Sequence, residues 1–123
     1  MKKLYALRGA TQLHIDTKEE MRDKVTSLIN TLYEINEIVI DDVVTIQFTI
    51  TSDLHALNPA TAYRERCKKG EAPLFCSSEP DIDGMLEKTV RVMILLYRDE
   101  DEKKLIPVYQ EGTQTLRKDL FEQ

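Results

Sequence analysis

Four arginines, Arg8, Arg64, Arg91 and Arg117, are the residues whose type and placement could do chemistry. Arg91 poses the sharpest question, because it interrupts the run TVRVMILLYRDE at 89–100. With the period of a strand, Val90, Val92, Ile94 and Leu96 share one face; Thr89, Arg91, Met93, Leu95 and Tyr97 share the other. Both faces are largely apolar, so neither is expected to be solvated. A guanidinium cannot shed its charge, and burying it unpaired is costly. An anion must meet it, or water at a fraying strand end. That anion is either a carboxylate of the chain, in a structural ion pair, or one carried by a ligand. The planar fork of arginine matches carboxylates bidentately, so several converging arginines would select a small polycarboxylate. Arg8 closes a first strand as a turn begins at Gly9–Ala10, Arg64 falls on a short helix, and Arg117 follows the last strand. Glu79 and Tyr109, near strand ends, would add polar contacts. The competing reading is four arginines that point apart and make separate surface pairs.

Two other chemistries are weaker. In EPDIDG at 79–84, Glu79, Asp81, Asp83 and Gly84 imitate the start of a calcium loop, but the place of its bidentate glutamate falls on Val90. An acidic surface turn suits these residues as well, so no metal is expected. Cys76 lies at a strand end, with His14 and His55 the only possible bases, and no spacing ties them together. Strand cysteines are more often small core residues.

The positioning elements follow from pattern. The 123 residues fit one domain, 1–123, with a core of ordinary composition, 41% hydrophobic and 32% charged. A net charge of −5 gives no basic field for nucleic acid or an anionic membrane. MKKLYALRGA is too short a hydrophobic start for a signal peptide, and no stretch reaches transmembrane length. Cys67 and Cys76 are therefore expected to be reduced thiols in the cytoplasm. LYALRG predicts a short strand. DTKEEMRDKVTSLINTLYEIN predicts the long helix, with Thr17 and Glu20 as a capping box and Met21, Val25, Leu28, Leu32 and Ile35 as one apolar stripe. Strands are predicted at 43–50, 72–79 and from Thr89, the last central to the sheet, with a weaker fifth from Glu111 to Leu116. Asn58 and Pro59 predict the cap and first turn of a short helix. The order implies an α+β fold, a mixed sheet with one long helix and a short helix.

Taken in order, LRGAT, DLHALNPATAYRE, PLFCSSE, VRVMILLY and VYQEGTQTLRKDL resemble the blocks of the AroH-class chorismate mutases, from Leu7 to about Leu120. The resemblance implies a homotrimer whose mixed sheets form a pseudo-α/β barrel, with active sites in clefts between subunits. It implies the rearrangement of chorismate to prephenate, on the route to tyrosine and phenylalanine. The reaction is intramolecular and implies no nucleophile, metal or cofactor. Catalysis then comes from holding the reactive conformer and stabilising charge in the transition state. By the same resemblance Arg91 donates to the ether oxygen, Arg8 grips the enolpyruvyl carboxylate with Tyr109, and Glu79 accepts the ring hydroxyl near the backbone of Cys76. Arg64 and Arg117 face the ring carboxylate at the mouth, and Leu74, Phe75 and Leu116 supply apolar wall. Asn58 stands where the family often has an aromatic, and Thr61 where a cation is familiar. Those departures motivate an alternative, a trimeric small-anion-binding or interaction module on the same scaffold with weak or no turnover.

Overall fold

The computed structural model describes residues 1–67 and 70–121. Five strands form one sheet: β1 (Lys2–Gln12), β2 (Val43–Ile50), β3 (Leu74–Ser78), β4 (Thr89–Asp99) and β5 (Val108–Tyr109), in the order β3-β2-β4-β1-β5. β4 is central and antiparallel to β1 and β2, whereas β3 pairs parallel to β2 and β5 parallel to β1. The sheet is mixed, as its sequence order implies.

One face of the sheet is covered by α1 (Lys18–Ile35) and α2 (Pro59–Arg66). Met21, Val25, Leu28, Ile29 and Leu32 of α1 are fully buried against strand residues such as Leu7, Phe48, Val92 and Ile94. Ile35, expected to complete the stripe, is instead exposed, and Ile29 and Tyr33 take part in its place. Asn58 caps α2 by accepting from the Ala60 N–H (2.8 Å), with Pro59 at the first position. The Tyr63 ring meets Phe48 on β2, and its hydroxyl lies 2.9 Å from that of Tyr33, so α2 docks on both α1 and the sheet.

Several expectations are corrected. The first strand does not stop at Arg8, and Gly9–Ala10 is no turn: β1 runs through to Gln12. Gly9 serves close packing instead, since a Cβ there would lie 2.9 Å from Leu32 Cδ1 of α1. Only half of the capping box forms. Thr17 Oγ1 accepts from the Glu20 N–H at 3.1 Å, but the Glu20 carboxylate reaches past the cap to the N–H groups of His14 (2.7 Å) and Ile15 (2.8 Å). The fifth strand is the two-residue β5, and Glu111–Arg117 is a 3₁₀ segment followed by a short α3 (Lys118–Phe121). A strand would have required alternation, and EGTQTL has one apolar residue in six.

This C-terminal segment starts beside α1, where Lys24 Nζ lies 2.5 Å from Glu111 Oε1, and is tied to β1 by the Gln110 N–H donating to the Ala10 carbonyl (2.9 Å). Upstream, Asn36 pairs with the backbone of Ile106 in both directions, and the buried Arg98 donates to the Asn36 carbonyl at 2.8 Å. These bonds fix the stretch that delivers β5, whose own pairing is too short to do so.

Candidate active site

The face of the sheet turned away from α1 is laid out by strand register. One row of partners runs Phe75, Gln47, Met93, Arg8, and the next runs Ser77, Thr49, Arg91, Ala10, Tyr109. Partners across neighbouring strands project to the same side, so Arg8, Arg91 and Tyr109 rise together. A cleft of about 410 Å³ sits over them, lined also by Gln47, Thr49, Glu79 and Arg117. That volume falls in the range of small-molecule sites.

Arg91 is not buried, which corrects the expectation that neither face of its strand is solvated. Its side chain keeps 48% of its accessible surface, and Met93 and Tyr97 beside it are exposed. Its Nε lies 3.2 Å from Glu79 Oε2, so a carboxylate of the chain meets one side of the fork. Among the described residues its terminal nitrogens donate no hydrogen bond. Glu79 follows β3, held there by its N–H donating to the Ile50 carbonyl (2.8 Å), and its side chain is only 14% accessible. Thr49 Oγ1 donates to the same Oε2 at 2.8 Å. Arg8 lines the cleft with no ion pair among the described residues, an uncompensated cation.

Arg117 also lines the cleft, but Asp119 holds it bidentately, Nε to Oδ1 at 3.0 Å and Nη2 to Oδ2 at 2.8 Å. That pairing pushes the arginine further from deprotonation and holds the Asp119 carboxyl below the usual range. Tyr109, beside the same guanidinium in the cleft, acts on it in the same direction.

The other sequence-derived residues are not brought to this cleft within one chain. Arg64 stands exposed on α2. Leu74 and Cys76 face the core, Phe75 is 68% exposed on the open face, and Leu116 lines a second cavity of about 670 Å³ that shares Arg91. Burial pushes the Cys76 thiol up, which keeps it protonated and unreactive. Asp81 of the acidic turn accepts from Ser52 Oγ, which makes it a loop staple, and no group of three described His, Cys, Asp or Glu side chains could hold a metal ion. Thr49, Gln47 and Asp119 were missed from sequence. The polar alternation Thr45, Gln47, Thr49 in VVTIQFTI was the available signal for two of them.

Two cations, a second-tier guanidinium, a clamped carboxylate and a phenol suit a small, multiply anionic substrate that also presents a hydroxyl. The arrangement is that of an enzyme working by positioning and electrostatics. Residues 4–120 match the family model for chorismate mutase type I. The chain is 38% identical to chorismate mutase AroH of Bacillus subtilis over 114 residues, 93% of this chain and 90% of that protein. It is 30% identical to chorismate mutase AroH of Thermus thermophilus, over 93% of each. A solved chorismate mutase from Clostridium thermocellum superposes with a TM-score of 0.84 at 36% identity, covering 90% of this chain and 98% of that one. The chain belongs to the type I chorismate mutase family.

Proposed function

We propose that the cleft converts chorismate to prephenate, with Arg91, Arg8 and Glu79 as its catalytic residues. As the ether C–O bond breaks, negative charge gathers on oxygen before the new C–C bond compensates for it. The terminal nitrogens of Arg91 donate to that oxygen, while Arg8 and Tyr109 hold the enolpyruvyl carboxylate and Glu79 accepts the ring hydroxyl. These contacts keep the reactive conformer folded and stabilise the transition state more than the ground state. Arg64 and Arg117 attract the ring carboxylate; Leu74, Phe75, Leu116 and the Cys76 backbone form the wall. The convergence of Arg8, Arg91, Tyr109 and Glu79 on one cleft carries this reading.

The working form is a homotrimer, with Arg64 and Phe75 reaching the site of a neighbouring subunit. This is supported by the exposure of Arg64 on α2 and by the exposed apolar side chains Leu4, Phe75, Met93 and Tyr97, which share the sheet's open face. The enzyme acts in the cytoplasm, supplying prephenate for aromatic amino acids; no described helix is long and apolar enough to cross a membrane. Loss of chorismate absorbance with purified protein and no added metal tests the activity, and sedimentation tests the trimer. A rate no greater than that in buffer would overturn the catalytic reading.

A further inference from the structure

Glu79 Oε2 accepts a hydrogen bond from Thr49 Oγ1 at 2.8 Å and makes an ion pair with Arg91, closest at Nε (3.2 Å), while its Oε1 accepts no hydrogen bond among the described residues. The Thr49 hydroxyl has one proton to give, and it gives it to this oxygen. Register dictates the contact. Thr49 is the cross-strand partner of Arg91, and the strand rise puts both under the loop that brings Glu79 back over β2. From this geometry we infer that Thr49 is a positioning residue, which holds Glu79 so that one carboxylate oxygen and the two terminal nitrogens of Arg91 stay available to substrate. The inference rests on the assignment of Glu79 as acceptor of the ring hydroxyl.

The physical need is specific. A carboxylate beside an arginine fork prefers the bidentate pairing, two parallel N–H···O bonds. In that pairing Glu79 would take Nε and one terminal nitrogen together, using both of its own oxygens. Arg91 would lose part of the charge it presents to the ether oxygen, and the hydroxyl acceptor would be spent. The structure holds no bidentate hydrogen bonding between Arg91 and Glu79: their closest approach is Nε to Oε2 at 3.2 Å, and Thr49 donates to that same oxygen. A threonine suits the task because its branched side chain fits the strand and its χ1 is stiff.

The experiment is a double-mutant cycle on kcat, using Thr49→Val, Glu79→Gln and both together. Valine keeps the shape and removes the donor; Thr49→Ser and Thr49→Ala are made alongside. Circular dichroism and sedimentation check each variant. Thr49→Val is expected to lower kcat roughly tenfold, as loss of a hydrogen bond to a charged group does, with a smaller change in KM. Thr49→Ser should recover most of the loss, Thr49→Ala should match Thr49→Val, and in the Glu79→Gln background Thr49→Val should cost little more. Normal kcat in both Thr49→Val and Thr49→Ala overturns the inference. So do additive losses in the double variant, which would mark Thr49 as merely structural. Normal kcat in Glu79→Gln overturns the assignment of Glu79 itself, whatever Thr49→Val does.

Discussion

Arg91 and Glu79 approach each other most closely at Nε and Oε2, 3.2 Å apart, with the arginine side chain half exposed over the cleft and the glutamate largely enclosed. An arginine fixed on one side and open on the other is already aimed before substrate arrives. The organising cost is met in folding, and the donors need not reorganise as charge develops.

Arg91→Ala should therefore nearly abolish kcat. Losing one donor to a developing oxyanion typically costs on the order of 10²–10³ in rate, and losing a full charge should exceed that. Folding should survive, because the side chain is half exposed and contributes no core volume. Arg91→Lys should recover little, since one ammonium cannot engage Glu79 and still reach both ether and carboxylate. Near-normal kcat in a folded Arg91→Ala variant would remove Arg91 from the mechanism.

Cys76 should be a spectator. It sits on the core side of β3, its thiol is kept protonated by burial, and only its backbone is assigned to the wall. Cys76→Ala should retain kcat within about threefold, since a small core residue gives way to a slightly smaller one. A collapse of kcat with normal stability would bring the thiol back into the chemistry.

Asn36 should matter to stability although it lies far from the cleft. Its side chain donates to the carbonyls of Leu32 (2.9 Å) and Ile106 (3.0 Å) and accepts from the Ile106 N–H (2.7 Å). Asn36→Ala would leave those backbone groups short of partners, at a cost of about 1–3 kcal/mol in denaturant unfolding. Since Ile106 leads directly into β5, KM should also rise through displaced Tyr109. An unchanged unfolding midpoint would show that the segment is held elsewhere.

Much of this was legible in the residues, and what was not has physical causes. The long helix, the four main strands, the central place of β4 and the cap of α2 follow from periodicity and capping chemistry, which are local. Gly9 misled because glycine signals both turns and close approach, and only the position of Leu32 decides between them. β5 escaped because two residues carry no period. Arg91 was correctly set on the face opposite Val92, yet its exposure in one chain was not foreseen, since an apolar strand face looks the same whether covered by its own chain or by a partner. The Arg117–Asp119 pair was in plain view two residues apart, but its bidentate geometry depends on the short α3 that follows.

The pH dependence of stability should show the Glu20 carboxylate at work. Hydrogen bonds from the His14 backbone first, and from Ile15, hold it below the usual carboxylate range, with the His14 ring and Glu111 nearby. A depressed folded pKa adds stability that is complete above the unfolded value and is lost as pH falls through the folded one. The melting-temperature gap between wild type and Glu20→Gln should thus narrow as pH falls below about 4. A gap that persists undiminished at about pH 3 would locate the effect in shape and not in charge.

Asp119 should restrain substrate capture. Its carboxylate takes Arg117 in a two-point grip at 3.0 and 2.8 Å, at the edge of the cleft where the ring carboxylate is proposed to enter. Incoming substrate must displace it or share the guanidinium, on a protein of net charge −5 that already repels a dianion. Asp119→Asn removes the competing charge and leaves Arg117 in place. KM should fall about two- to fivefold at low ionic strength, the scale of an exposed ion pair, and the gain should fade as salt rises. kcat should change less, because a charge at the rim acts alike on ground and transition states. Steady-state kinetics for both proteins at two salt concentrations decide the matter. A KM that rises in Asp119→Asn would mean that Asp119 orients Arg117 for substrate rather than competing for it.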